Sequence, residues 1–202
     1  GVQTCALPIY PVADEKAYAN GFTTDQRSPF NERWGGWFVT GQHGRSGHMG
    51  NVPVMPADKG KSKIRNPQAV LNSVDGLFDQ AGYLTPYSDV VALLVLNHQA
   101  QMTNYITRMG WEARVAEVDP AAAGRVRAAA NDLVDYMLFV DEAPLIGAVK
   151  GASGFAEEFS ARGPRDSKGR SLRDLDLVRR VFKYPCSYLI YSPAFEIGRA
   201  HV

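Results

Sequence analysis

The chain has 202 residues, 45% hydrophobic and 21% charged, with 22 Lys and Arg against 21 Asp and Glu and a formal net charge of +1. That balance excludes the basic excess expected of a nucleic-acid or polyanion binder. The length is enough for one sizeable core, and the longest unbroken apolar run, Val90–Leu96, is far short of the roughly 20 residues a membrane span needs.

Both ends read as foreign. Gly1–Ile9 is GVQTCALPI and Glu196–Val202 is EIGRAHV. The first can be encoded by a string containing GACGTGTGCTCTTCCGATC, the second by one containing GATCGGAAGAGCACACGTC. These are reverse complements and match a widely used short-read sequencing adapter. Two unrelated peptide ends have no physical reason for that relation. Residues 1–9 and 196–202 are therefore expected to be adapter-derived and are set aside before fold reasoning, with Tyr10 and Glu196 at the junctions. Residues 10–195 keep one cysteine, Cys186, and three histidines, His43, His48 and His98. One thiol supports neither an intramolecular disulfide framework nor a cysteine-rich zinc site.

Residues 10–66 are rich in Gly, Pro, Asn and Asp and hold no sustained period. Trp34–Val39 is the one short strand expected there. The aromatics are too frequent for simple disorder, so this stretch is expected to be a loop-rich arm packed on something. Residues 67–195 carry the helical signals and are expected to share one core with the arm. Ser88 or Asp89 caps a helix whose apolar face runs through Val91, Leu94, Val95, His98, Met102, Tyr105 and Ile106 toward Arg114. Asp119 as N-cap and Pro120 at the first helical position open a second. Its stripe is Val126, Leu133, Val134, Met137, Leu138 and Val140, and Pro144 ends it. Gly154–Ala161 is a short helix. Ser171-Leu172-Arg173-Asp174 fits a capping box, predicting a helix through Leu175, Val178 and Phe182 with Asp176 and Arg180 paired on its wet face. Tyr184-Pro185 breaks that helix, and Cys186–Tyr191 starts another. The fold class is mainly α: an irregular Gly/Pro-rich N-terminal arm packed on a multi-helix domain.

Five residues are candidates for chemistry. The segment Gly41–Asn51 sets His43, His48 and Met49 among glycines, which let backbone approach a bound group closely. Imidazole and thioether suit haem iron, copper or zinc, although His-x4-His is no established zinc spacing. His98 and Met102 lie one turn apart on a helix face and could serve as an axial ligand and pocket wall, or as core residues. The acidic pair Asp141-Glu142 closes an apolar helix, where the dipole disfavours it, so a cation from elsewhere is expected beside it. The basic loop Arg162–Ser171 can hold an anion or be plain turn chemistry. Cys186 reads as a buried small hydrophobe. No nucleophile elbow, dinucleotide fingerprint, phosphate loop or Cys-x-x-Cys-His is present.

Several strings together carry a resemblance: Glu32–Gly41, His48–Asn51, Tyr83–Pro86, Ser88–Leu93, His98-Gln99, Phe139–Leu145, Gly163–Asp176 and Tyr184–Tyr191. Across nearly all of 10–195 the chain resembles a group of exported bacterial proteins, frequent in planctomycetes and acidobacteria, that carry a cytochrome c domain. The resemblance implies a Cys-x-x-Cys-His segment upstream, binding haem c through two thioethers. It also implies a periplasmic or otherwise exported location, electron transfer as the function, and a redox partner protein. On that reading His43, His48, Met49, His98 and Met102 are the cofactor-binding candidates, with His48, Met49 and His98 as candidate iron ligands. A haem peroxidase-like enzyme and a non-catalytic helical docking module are the alternatives.

Overall fold

The computed structural model describes residues 24–35, 37–51 and 70–199. Residues 1–9 and 200–202 of the expected adapter ends, and residues 10–23 and 52–66 of the arm, lie outside the described residues.

The protein is mainly α. Among the described residues four helices, α1 (Val90–Val118), α2 (Ala123–Met137), α3 (Phe155–Ala161) and α4 (Pro193–Arg199, whose last turn is made of the expected adapter residues 196–199), are joined by long ordered loops, with β1 (Gln42–His43) pairing antiparallel to β2 (Val149–Lys150). The register sets Gln42 against Lys150 and His43 against Val149. This small ladder fastens the arm to the loop after α2.

α1 begins where Asp89 supplies its cap: one carboxylate oxygen accepts from the Val91 and Ala92 N–H groups at 2.8 and 3.1 Å. The other oxygen accepts from Ala152 N, Ser153 N and Ser153 Oγ at 2.7–2.9 Å. One buried carboxylate thus caps α1 and pins the loop leading into α3. Gly151 makes this possible, since a Cβ there would stand 2.5 Å from Asp89 Oδ2.

The first turns of α1 are buried on nearly every face, through Val90, Val91, Leu93, Leu94 and Val95, as a central core helix requires. Phe30, Trp34 and Val39 of the arm pack on them, with Phe139, Leu145, Val149, Phe159, Val181, Phe182 and Tyr188 closing the cluster. Burying each such side chain stabilises the fold by about 1.5–3 kcal/mol. Trp34 is wholly buried and donates its indole N–H to Asn97 Oδ1 at 3.0 Å, tying arm to helix with no unpaired donor. A smaller cluster of Met102, Ile106 and Tyr136 joins α1 to α2.

Asp119 caps the turn before α2, with Pro120 at its first position, and a short helix follows Gly154 as the sequence predicts. Elsewhere the structure departs from what the sequence predicts. Trp34–Val39 is not a strand: Trp34 has φ of +63°, and pairing begins at Thr40 and β1 instead. α1 continues to Val118, one turn beyond Arg114. α2 ends at Met137, where Phe139 and Asp141 adopt left-handed φ, and Val134, Leu138 and Val140 face solvent. Its buried residues are Ala129 and Tyr136, with Leu133 and Met137 of the expected stripe partly buried against the α1–α2 cluster. Residues 171–182 form no helix. The capping box closes, with Arg173 N donating to Ser171 Oγ and Ser171 N to Asp174 Oδ2. Leu177 then turns left-handed and Leu175 bridges antiparallel to Phe182, a hairpin that buries Val181 and Phe182. Burial of those side chains outweighs local helix preference. Residues 188–191 form a 3-10 turn rather than the start of an α-helix.

Charges follow the hairpin. Arg180 pairs with Glu142, donating from Nε and Nη2 to the same oxygen at 3.0 and 2.7 Å, and Asp176 pairs with Arg179. The cation expected beside Asp141-Glu142 is therefore Arg180, withdrawn from its predicted partner Asp176.

Candidate functional site

The structure brings His43 and His48 together and sets His98 and Met102 apart from them. His43 ends β1, and the chain turns back at Gly44, whose φ is +64° and whose Cβ would lie 2.9 Å from the Gly147 backbone. That contact admits only glycine. Arg45 N–H donates to the Ile146 carbonyl at 2.8 Å and Ile146 N–H to Ser46 Oγ at 3.3 Å, clamping the turn to the loop before β2. Gly50 brings the chain past Val39, where a Cβ would stand 2.7 Å from the valine methyl. The Asn51 side chain holds both the N–H and the carbonyl of Val39.

Within this frame the two imidazoles meet edge to face, ring centroids 4.8 Å apart and planes at 85°. Trp34 also meets His48 edge to face, with ring centroids 5.8 Å apart. His43 is 6% and His48 2% exposed. His43 Nδ1 lies 2.6 Å from the Ser46 carbonyl oxygen, and Gly50 N–H donates to His48 Nδ1 at 3.0 Å. Neither Nε2 has a hydrogen-bond partner. Among the described residues Arg27 Nε, Thr40 Oγ1 and Tyr136 Oη share that condition, but only here do two such groups belong to rings in contact. Burial, and then the neighbouring His43, lower the His48 pKa to about 4, so this ring is neutral at neutral pH. Met49, the residue after His48, is half-buried and donates its N–H to the Arg33 carbonyl. No group of three or more His, Cys, Asp or Glu side chains converges among the described residues.

His98 is a different case. It is 1% exposed, with Nδ1 2.6 Å from Gln26 Oε1 and Nε2 2.7 Å from Ser187 Oγ. Its ring stacks between Tyr136 and Phe139. Burial lowers its pKa to about 3. With both nitrogens engaged and no exposed edge, His98 in this arrangement has no lone pair to offer a metal. Met102, wholly buried in the α1–α2 cluster, fills core volume. His43 and His48 each keep one buried nitrogen without a hydrogen-bond partner, whereas both nitrogens of His98 are engaged.

Ser187, His98 and Gln26 form a chain in the sense of a nucleophile, base and orienting group. All three are sealed: Ser187 is 0% and Gln26 4% exposed. Ser187 Oγ also accepts the Leu189 N–H as cap of the 3-10 turn, and Gln26 Nε2 donates to the Tyr136 carbonyl. A substrate reaches none of them, so the chain is a packing device. Sequence reasoning did not identify Gln26 or Ser187, which lie 72 and 89 residues from His98; no local spacing could have signalled them.

The basic loop closes on itself. Arg170 pairs with Asp166, and Arg165 with Asp174 and the Ser160 and Gly169 carbonyls. A cavity of about 310 Å³ lies beside it, with Tyr184 and Tyr191 on its walls. Its guanidinium groups are already committed to carboxylates, which argues against an anion site. Cys186 is half-buried, and burial raises its thiol pKa, the opposite of an activated nucleophile. No helix among the described residues is long and apolar enough to cross a membrane.

Comparison with protein-family models, curated proteins and solved structures gives no match.

Proposed function

We propose that this chain is part of an exported electron-transfer protein of the c-type-cytochrome kind, in which the 41–51 loop is the wall that meets haem c. The observation that carries this reading is the pair of buried, unpartnered imidazole nitrogens on His43 and His48. Leaving a buried polar group unsatisfied costs on the order of 1–3 kcal/mol, and native interiors seldom keep two such groups side by side without a use. Coordination or a hydrogen bond to a bound group recovers that cost. The haem would supply one-electron redox chemistry, while this chain's residues bind, orient and exclude water. His43 and His48 contact the group, Met49 flanks them, and the core around Trp34 holds the loop in place. Electrons would pass to a redox partner protein.

The test is to produce the longest natural chain containing these residues together with a haem-maturation system and record its absorption. A Soret band that survives denaturation and extraction, as covalent haem does, supports the reading. Protein that folds but carries no such band overturns it.

A further inference from the structure

The segment from Val74 to Pro86 leaves the fold and returns to it as a closed loop. Val74 is buried, and its N–H donates to the Pro86 carbonyl at 2.9 Å, joining the two ends. Within the loop Gln80 Nε2 donates to the Val74 carbonyl at 2.6 Å, and the Tyr83 N–H to the Gln80 carbonyl at 2.9 Å. Phe38 of the arm stacks on Phe78 with ring centroids 5.3 Å apart, and Tyr83 meets Phe78 edge to face at 5.1 Å. A compact surface loop fixed at its ends and by its own side chains holds one shape, and loops of this kind frequently carry function.

What the loop displays is apolar. Tyr83 is 61% and Phe38 40% exposed, and Leu84 is fully exposed. A single exposed leucine is ordinary. Here aromatic and aliphatic side chains share one fixed loop and the ring stack beside it, which is the composition of an interface centre. Asp75 and Asp79 lie in the same loop and are also exposed. Their carboxylates accept local bonds, from Ser73 Oγ and from the Ala81 N–H, and among the described residues neither pairs with a cation. No Lys or Arg occurs between Arg65 and Arg108. The surface is therefore both apolar and acidic.

We propose that this loop is the docking surface for a protein partner that presents Lys or Arg side chains around an apolar centre. The cations meet the two unpaired carboxylates and the exposed aromatic rings, while the apolar centre takes Leu84 out of water. A membrane is the other surface that an apolar loop could enter, but an anionic bilayer attracts basic segments and repels an acidic one. The charge of the loop therefore selects a basic protein surface. The inference is independent of the haem reading, since it uses no residue of the 41–51 loop.

The probe is a random peptide library displayed on phage and selected on the full chain, followed by binding titrations with the selected peptides. They should combine Lys or Arg with aromatic or aliphatic residues, and their binding should weaken with rising salt. Affinity should fall about tenfold in Leu84→Ser and again in Asp75→Asn/Asp79→Asn. These side chains are exposed, and asparagine keeps an acceptor oxygen for the Ser73 and Ala81 bonds, so the fold is retained. Trp111→Ser, at an aromatic 62% exposed on α1, should leave binding unchanged. A selection that yields no peptide, peptides without cations, binding that survives Leu84→Ser, or an equal loss in Trp111→Ser overturns the proposal. So does sedimentation with vesicles of equal phosphatidylglycerol and phosphatidylcholine that Leu84→Ser abolishes, which would make the loop a membrane anchor. Dimerisation of the chain that Leu84→Ser abolishes would give the surface to a second copy and overturn it as well.

Discussion

His98 and Ser187, 89 residues apart in the chain, are joined by a 2.7 Å hydrogen bond sealed from solvent. The bond locks the N-terminal third of α1 to the 3-10 turn at Tyr188–Tyr191, and the opposite nitrogen of the same ring locks α1 to Gln26 of the arm. One imidazole therefore holds three segments that share no local sequence signal.

A pH dependence follows. Burial lowers His98 to about 3 from its ordinary 6.5, and His48 to about 4. Between those values and 6.5 the unfolded chain binds protons that the folded chain does not. The stability contributed by each neutral ring is fully present above about 6.5 and is lost as pH falls toward the folded value. One such group gives a slope of about 1.4 kcal/mol per pH unit, so two approach twice that between pH 6.5 and 4.5. His98→Gln should lower stability at pH 7 by about 1–3 kcal/mol and roughly halve the slope, as measured by urea unfolding at several pH values. An unchanged slope would show that His98 is already protonated or accessible.

Asp89 accepts five hydrogen bonds from two separate segments. Loss of an N-cap alone costs about 1 kcal/mol, and stranding buried donors adds 1–3 kcal/mol for each that finds no water. Asp89→Ala should therefore destabilise by roughly 3–5 kcal/mol, and Asp89→Asn, with one acceptor oxygen in place of two, by about half as much. Thermal and denaturant unfolding check both. A loss near 1 kcal/mol for the alanine variant would mean that the carboxylate only caps α1 and does not hold the 151–153 loop.

The ion pairs separate by burial. Glu142 is nearly buried and takes two donors from Arg180, whereas Arg108 and Asp132 are both half-exposed. Arg180→Ala strands a mostly buried carboxylate and should cost about 2–4 kcal/mol; Arg108→Ala should cost under about 1 kcal/mol. Raising the salt concentration should weaken only the second pair measurably. Comparable losses for the two variants would contradict the burial argument.

Gly44 and Gly50 shape the histidine loop in different ways. At Gly44 a methyl group would meet the Gly147 backbone at 2.9 Å in a left-handed conformation, so Gly44→Ala should detach the turn from the β2 loop and destabilise by about 2–3 kcal/mol. Gly50→Ala adds a methyl against a valine side chain and His48 Nδ1. Its smaller stability loss, about 1–2 kcal/mol, should come with a changed His48 ring environment. Proton–nitrogen spectra of the two variants distinguish these effects: the His48 signals should move more in Gly50→Ala, and the reverse order would contradict this account.

What the sequence reveals here depends on how local the cause is. The cap at Asp89, the Asp119-Pro120 start of the second helical segment and the Gly154 start of α3 are read within a few residues and stand in the structure. The hairpin at 175–182 escapes a local reading because its sequence signals, a Ser-x-x-Asp box and an apolar residue every three or four, are those of a helix. Only the cluster around Phe182 and Tyr188 makes the hairpin preferable. Val134, Leu138 and Val140 are exposed for a related reason: a periodic stripe does not say which face a partner helix covers, and the residues α2 buries are Ala129 and Tyr136. Within the histidine loop the residue types are legible, and the glycines point to close backbone approach. The pairing of His43 with His48 and the sealing of His98 depend on contacts with Ser46, Gly50, Gln26 and Ser187, whose positions only the tertiary structure sets.

The most direct test of the central claim is an optical redox titration of the haem-loaded full chain, comparing wild type with the His43→Ala/His48→Ala double variant. If the 41–51 loop faces the haem, the double variant should change both the Soret position and the midpoint potential. Identical spectra and an identical midpoint would contradict the account and leave the two histidines as packing residues.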